Sequence, residues 1–226
     1  GNKMVYGNLF MLLKKKFSYE WKLYTEHSFI KKLSNNDLLE EKFLNYLIQD
    51  YLFLIQFSKA WSLAIVKADN LSEMKLCANT VNALINFEMD LHIKLCKKYG
   101  ISKTKLNNAE EKNKNIAYTR YVLESGYSGD FLDLITTLIP CVRGYAEIGN
   151  NIKNYKPSNE MYRKWIHTYS GEEYQKISKT VGSLFDSAVL NRLGKSYSKT
   201  PRWKKIQYKF RKAVLLEIDF WEMALE

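Results

Sequence analysis

The residues around Pro140 combine a thiol, a phenol and a nearby carboxylate within one predicted helix. Cys141 directly follows Pro140, and Tyr145 lies one turn further along the same face. Proline lacks the N–H group that would bond the carbonyl of Thr136, so the helix should bend at Cys141. The segment therefore predicts a bent helix that presents a nucleophile to a reactive pocket.

Each candidate also has a purely structural interpretation. A lone cysteine is more often a buried, inert residue than a nucleophile. Asp50 lies in an apolar run, residues 46–53, where a carboxylate is costly unless it is paired, so a functional role and a structural salt bridge are both open. Glu217 alone could be a solvated helix residue, and the aromatic residues at helical spacing could be core. Glu147 is expected to bond a neighbouring helix.

The three histidines give little support for a metal site. Glu88 and His92 are one turn apart, but di-iron bundles use Glu-x-x-His on two helices, and here the spacing is one residue too long and has no second copy. A structural hydrogen bond is the expected role of His92. No metal and no organic cofactor are predicted.

Charge and cysteine content narrow the class of protein. The net charge is +11, but only six of the 35 basic residues are arginines, and the lysines are scattered along the chain. This distribution indicates a solvated surface more than a nucleic-acid interface. No apolar run approaches the ~18 residues of a membrane span. Three widely spaced cysteines and the lack of a leader sequence predict a reduced, cytoplasmic protein.

Apolar residues recur at spacings of three and four, so an all-α fold is predicted. We expect one helical domain over residues 1–226, with residues 1–8 a tag remnant or disordered. The bundle should contain about seven to nine helices. The expected boundaries are a first helix over 9–27, a long helix from the cap Asp37 to Lys67, a helix from Ser72 to Gly100 and a solvated loop over 101–115. Further helices should start at Asp130, within 157–160, within 170–173 with its end at Gly194, and at Thr200.

Five segments together carry a family resemblance. They are W-x5-H-S-F (21–29), Y-L-I-Q-D-Y (46–51), I-P-C with Tyr145 and Gly149 (139–149), W-I-H-T-Y (165–169) and E-I-D-F-W-E-M-A (217–224). In this order the chain resembles the thiaminase II (TenA-like) family, which has the haem-oxygenase-like all-α fold. The resemblance implies a hydrolase acting on aminopyrimidines of thiamin breakdown, either releasing hydroxymethylpyrimidine from its aminomethyl counterpart or cleaving thiamin. It also implies a homotetramer.

The resemblance assigns roles residue by residue. Cys141 would be the nucleophile and Glu217 the proton donor to the pyrimidine ring, while Asp50 would hold the amino edge of the ring. The pocket would be lined by Phe53, Tyr118, Tyr145, Tyr169 and Phe220. These residue types suit the chemistry, because thiolate addition divides a difficult displacement into easier steps and ring protonation makes the ring electrophilic.

One position departs from the family pattern. Many members carry tyrosine where this chain has Phe53, and that hydroxyl would favour ionisation of the nearby thiol by hydrogen bonding. We therefore expect Cys141 to be less activated here, with slower turnover than in tyrosine-bearing relatives.

Two other functions stay open from the residues. A haem- or metal-dependent oxygenase on the same scaffold would need a ligand, and His27 is the candidate for haem, although a packing or hydrogen-bonding role is favoured for it. A non-catalytic regulatory or nucleic-acid-binding protein is suggested by the net charge alone, without a recognisable reading motif.

Overall fold

A computed structural model describes residues 8–226, and this part of the chain is all-α, as predicted. The helices are α1 (Asn8–Lys16), α2 (Ser18–Thr25), α3 (Ser28–Ser34), α4 (Glu40–Lys67), α5 (Leu71–Ala83), α6 (Met89–Lys98), α7 (Lys103–Asn107), α8 (Asn113–Ser128), α9 (Phe131–Ile152), α10 (Glu160–Ser170), α11 (Glu172–Leu193) and α12 (Pro201–Leu225). A π-helical segment, Leu84–Glu88, joins α5 to α6, and a short 3-10 turn, Tyr197–Lys199, precedes α12. The expected residues 1–8, as a tag remnant or disordered segment, lie outside the described residues except for Asn8.

Several helix starts and ends are those that the sequence predicted. Asp130 and Asp133 form a capping box at the start of α9. Thr200 caps α12, whose first residue is Pro201. Gly194 follows the end of α11 with a φ of 79°, a conformation that glycine adopts without strain.

The prediction of one continuous first helix was wrong, because the structure divides this region into α1 and α2. The backbone leaves helical geometry at Phe17, and α1 packs against α11 while α2 packs against α12. His27 does not end this helix either. Its Nδ1 accepts the N–H of Phe29, so His27 caps the start of α3.

Three other boundaries also differ from the prediction. Asp37 does not cap the long helix, which follows Leu39 without a side-chain cap. Asn70, rather than Ser72, caps α5. The expected loop over 101–115 contains α7, capped by Ser102 and anchored by the fully buried Leu106. These divisions account for twelve α-helices among residues 8–226 where seven to nine were expected.

Helix α9 occupies the centre of the bundle and is buried along most of its length. It packs against α4, α8, α10, α11 and α12, and it runs through Pro140 as one helical element. The hydroxyl of Tyr24 on α2 donates to the carbonyl oxygen of Pro140 at 3.0 Å. The core therefore forms around the element that carries Cys141.

Two glycines on α9 allow neighbouring elements to approach closely. A β-carbon at Gly144 would collide with the ring of Tyr24. At Gly149 it would lie 2.7 Å from the backbone nitrogen of Ser170 and closer still to the carbonyl of Tyr169. The second contact is with main chain, which cannot rotate away as a side chain can, so Gly149 sets how near α10 lies to α9.

We expect Gly149→Ala to destabilise the protein by roughly 1–3 kcal/mol, the usual cost of overpacking a core. Thermal and urea unfolding measure the change. Asn150→Ala is the matched control, because Asn150 is the next residue of α9 and is exposed, and its effect should stay within about 0.5 kcal/mol. Equal stability of the Gly149 variant and the wild-type protein would show that the two helices separate at little cost.

Candidate active site

All eight residues predicted for the site lie in one buried cluster at the centre of the bundle. Five helices supply them: α4, α8, α9, α10 and α12. Each side chain is at most 7% exposed. The members are Asp50, Phe53, Tyr118, Cys141, Tyr145, Tyr169, Glu217 and Phe220. Distant parts of the sequence therefore converge, and the contacts below connect them.

The thiol and one carboxyl group form the first part of the cluster. Cys141 and Glu217 are neighbours that influence each other's pKa. The hydroxyl of Tyr118 donates to Oε1 of Glu217 at 2.5 Å. Helix α12 thus presents a carboxyl group that is held between the phenol of α8 and the sulfur of α9.

The second part of the cluster is an Asp–His pair. The Nε2 of His92 lies 2.6 Å from Oδ2 of Asp50, and its Nδ1 lies 2.7 Å from the carbonyl oxygen of Glu88. A carbonyl only accepts, so these partners assign a proton to Nδ1, and the carboxylate accepts a second from Nε2. Burial opposes the charged imidazole, but the hydrogen bond to Asp50 and its charge raise the pKa of His92 above its ordinary value.

Aromatic rings form the walls around these polar groups. The ring of Phe53 lies 5.2 Å from that of Tyr118 and 5.5 Å from that of Phe220, centroid to centroid. The ring centroids of Tyr145 and Tyr169 are 4.9 Å apart. The hydroxyls of Tyr46 and Tyr145 are 2.8 Å apart, and Tyr46 also donates to Asp50 at 3.4 Å. Such walls suit a flat heterocycle.

A narrow cavity of about 20 Å³ is lined by Cys141 and by none of the other seven predicted site residues. Helix α5, the π-helical segment and helices α4, α9 and α11 form its walls. The lining residues are Phe57, Thr80, Ala83, Leu84, Phe87, Glu88, Cys141, Val142, Tyr174 and Ile177. Cys141 is therefore buried and borders a small cavity.

Burial controls the protonation of the groups in this region. It raises the pKa of Glu217 to about 8, partly offset by the hydrogen bond from Tyr118. Burial and the charge of Asp50 raise the pKa of Glu88 to about 8. Burial and then the neighbouring Glu217 raise the pKa of the Cys141 thiol well above its ordinary value. At neutral pH the two glutamates and the thiol are thus mainly protonated.

Sequence reasoning did not place Tyr46, Glu88 or Tyr174 in the site. Tyr46 was visible as the first residue of the 46–51 segment, one turn before Asp50, and could have been found from that spacing. Nothing local marks Tyr174 or the carboxyl of Glu88. The expected structural hydrogen bond of His92 is confirmed, and it is made to a predicted site residue.

The described residues give little support for a haem ligand at His27 or for a metal site. Both ring nitrogens of His27 are occupied, Nδ1 by the N–H of Phe29 and Nε2 by Glu222 at 2.5 Å. No group of three or more histidine, cysteine, aspartate or glutamate side chains within residues 8–226 is placed to hold a metal ion. Glu147 bonds Trp21 and Lys14 on neighbouring helices, as expected. None of the described helices combines the length and apolarity required to cross a bilayer.

Comparisons with known proteins point to one family. The TENA/THI-4/PQQC family model matches residues 15–226. An uncharacterized protein of Haemophilus influenzae is 35% identical over 208 residues, which cover 91% of this chain and 94% of that protein. An aminopyrimidine aminohydrolase of Halalkalibacterium halodurans is 30% identical over 206 residues, or 90% and 89% of the two chains.

A solved structure extends the likeness to three dimensions. A TenA family transcription regulator from Silicibacter sp. TM1040 is 46% identical and superposes with a TM-score of 0.93, covering 97% of each chain. The sequence similarity and the fold therefore agree over nearly the whole chain.

We expect Glu217→Gln to stabilise the protein increasingly as the pH rises from 5 to 8. The pKa of Glu217 is about 8 in the fold and near 4.3 in an unfolded chain, so the folded state binds the proton more tightly. The free energy of unfolding of the wild-type protein therefore falls as pH rises through this window, by at most about 1.4 kcal/mol per pH unit. The variant has no carboxyl group at this position and does not show that decrease. Urea unfolding at pH 5, 6, 7 and 8 measures it.

The control for this series is Glu124→Gln, which changes an exposed glutamate of α8. Its stability difference from the wild-type protein should not vary with pH. A difference for Glu217→Gln that is equally independent of pH would mean that this carboxyl group is ionised in the fold.

Proposed function

The chain belongs to the TENA/THI-4/PQQC family, and we propose that it is an aminopyrimidine hydrolase of thiamin metabolism. The proposed substrate is an aminopyrimidine of thiamin breakdown, with the aminomethylpyrimidine converted to hydroxymethylpyrimidine in salvage, and with thiamin as a second substrate. The observation that carries the proposal is the convergence of Asp50, Cys141 and Glu217 in one buried cluster, with Cys141 at the wall of a small cavity. Relatives named aminopyrimidine aminohydrolase support the reaction class.

The first step would be addition of the Cys141 sulfur to the pyrimidine ring. Glu217 would give its proton to a ring nitrogen while the thiol proton passes to Glu217, since the two groups are neighbours that influence each other's pKa. One S–C bond and one N–H bond form, and no free thiolate need accumulate. This route fits a thiol and a carboxyl group that both enter the reaction protonated.

Asp50 and the aromatic side chains would orient the ring. Oδ2 of Asp50 is bonded to His92, and Oδ1 would accept the exocyclic amino group of the pyrimidine. The rings of Tyr118, Tyr145 and Phe220 would hold the flat substrate, because fixing its plane against the sulfur removes much of the entropic cost of reaction. The reaction exchanges an amine for a hydroxyl derived from water and requires no oxidant.

A regulatory function is the second candidate, because the similar Silicibacter protein is named a transcription regulator. DNA binding through the lysine-rich surface would weaken steeply as salt is raised. Affinity for DNA without such salt dependence would not fit this candidate. The buried polar cluster has no role in it, which is why the hydrolase is preferred.

We further propose a single domain that assembles as a homotetramer in the cytoplasm. Exposed apolar side chains on α1 and α2 support assembly: Met11, Leu12, Tyr19 and Leu23 are each more than 40% exposed. The three cysteines are free thiols, as in a reducing compartment. Light scattering on eluting protein measures the mass of the assembly.

The function is tested by incubating the protein with the aminomethylpyrimidine and with thiamin and measuring hydroxymethylpyrimidine. We expect activity on at least the first substrate. Cys141→Ala should abolish it, and Glu217→Gln should reduce it by roughly 10²–10⁴-fold, the usual contribution of a positioned acid. Cys96→Ala is the matched control, because Cys96 is a buried free thiol on α6 outside the cavity. Full activity of Cys141→Ala would exclude covalent catalysis by that residue.

The departure at Phe53 gives a separate prediction. Phe53→Tyr should raise turnover at saturating substrate, because a hydroxyl near the thiol would favour its ionised form by hydrogen bonding. Phe43→Tyr is a suitable control, since Phe43 is a buried phenylalanine of the same helix that does not line the cavity at Cys141. A rate for Phe53→Tyr that is unchanged or lower would count against a role for the missing hydroxyl.

A further inference from the structure

Glu88 is a buried carboxyl group that the steps described above do not use. It is 6% exposed and ends the π-helical segment. Among the described residues that line the cavity at Cys141, it alone carries a carboxyl group, and most of its neighbours there are apolar. Within residues 8–226 the carboxyl forms no hydrogen bond and no ion pair. Its oxygens are not among the fully buried, unpaired side-chain atoms of this part of the chain, so the carboxyl is accessible from the cavity, where the ionised form is costly among apolar neighbours.

The backbone holds Glu88 at the cavity by two unusual bonds. The N–H of Met89 bonds the carbonyl of Leu84, five residues back, which inserts an extra residue into the turn. Segments of this kind are frequent at functional sites. The carbonyl of Glu88 accepts from His92, and His92 in turn bonds Asp50. The same chain of bonds therefore positions both Asp50 and Glu88.

The groups around Glu88 favour its protonated form. Asp50 and His92 face it from α4 and α6, Cys141 from α9, and Tyr169 and Tyr174 from α10 and α11. Burial and the negative charge of Asp50 raise the pKa of Glu88 to about 8, while the charge of His92 opposes the shift. At pH 7 the cavity thus contains an acid with a proton to give.

We propose that Glu88 is a second catalytic acid, which donates a proton to the amine that leaves the substrate. The inference rests on the proposed function. It assigns the leaving amine of the substrate to the part of the site that Glu88 lines. Glu88 and Cys141 line the same cavity, which Glu217 does not, so Glu217 would serve the ring while Glu88 would serve a group displaced from the ring methylene into the cavity. The proposed site is selective for amines whose departure requires a proton.

The proton inventory balances. The largely apolar cavity favours the neutral form of the amine. After sulfur has added to the ring, the methylene C–N bond of this neutral amine breaks, nitrogen keeps the electron pair and takes the proton of Glu88, and ammonia leaves. Glu88 is then a carboxylate. Water adds to the exposed methylene and returns a proton to Glu88, and expulsion of the thiol restores the ring. One water is consumed, and one ammonia and one hydroxymethyl product are formed.

Thiamin provides the contrast that tests the assignment. Its leaving group is already a thiazolium cation, which departs as a neutral thiazole when nitrogen takes the electron pair and needs no proton. Loss of the Glu88 acid should therefore slow release of ammonia much more than release of thiazole. A merely structural role for Glu88 would affect both substrates equally.

The experiment compares kcat of the wild-type protein and of Glu88→Gln on the aminomethylpyrimidine and on thiamin at pH 7. If thiamin is not turned over, a 5-pyridiniomethyl counterpart replaces it. We expect kcat for the amine to fall about 100-fold and kcat for the cationic leaving group to change less than about threefold. Glu88→Asp, which keeps an acid, should recover part of the amine activity and covers the case in which Glu88→Gln does not fold. Glu124→Gln is the exposed control.

Each outcome has one meaning. Equal losses on both substrates, or no loss on the amine, would overturn the assignment of Glu88. Turnover of thiamin without turnover of the amine by the wild-type protein would also overturn it and would leave the thiaminase reaction standing. A wild-type protein inactive on every substrate would refute the proposed function itself, and the inference with it.

Discussion

The removal of carboxyl groups from water is the constraint on which the rest of this structure depends. Asp50, Glu88 and Glu217 are buried in a helical bundle, where an ionised group is costly unless it is paired. Asp50 is paired with His92 at 2.6 Å. The other two have no cationic partner at this distance among the described residues, and their pKa values rise to about 8. The fold thus keeps one carboxylate and two neutral acids within a single cluster.

The scaffold around the cluster fixes where these groups lie. Helix α9 is covered by neighbours along most of its length, and close approaches at Gly144 and Gly149 leave it little freedom to shift. Tyr24 bonds the carbonyl of Pro140, the residue before Cys141. Because tightly packed interiors resist small displacements, the sulfur is held at the cavity by contacts with several helices. The packing of these helices offsets the stability that is lost when the acids are buried.

The sequence was sufficient to predict the α-helical class and the main helix starts, since capping residues and apolar spacing are local signals. The convergence of Asp50, Cys141 and Glu217 was predicted from the family resemblance and not from spacing, because contacts over such separations depend on topology. The break at Phe17 and the helix at Leu106 were missed, because each depends on packing against distant elements. Glu88 was missed for a similar reason. Its position at the cavity depends on a π-helical turn, and no residue type in 84–88 predicts such a turn.

The protonation of the cluster also limits how a nucleophile could form in it. A thiolate at Cys141 would lie close to three acidic groups, and burial and these neighbours raise the pKa of the thiol. Resting ionisation is therefore unfavourable, so sulfur would become nucleophilic only as its proton moves away during attack. Glu217, a neighbour of the thiol, is placed to take that proton while it gives its own to the ring. Under the proposed function, the neutrality that burial imposes on Glu217 is thus a condition of the reaction, and a hydroxyl at position 53 would act by stabilising the negative charge that develops on sulfur as its proton moves away.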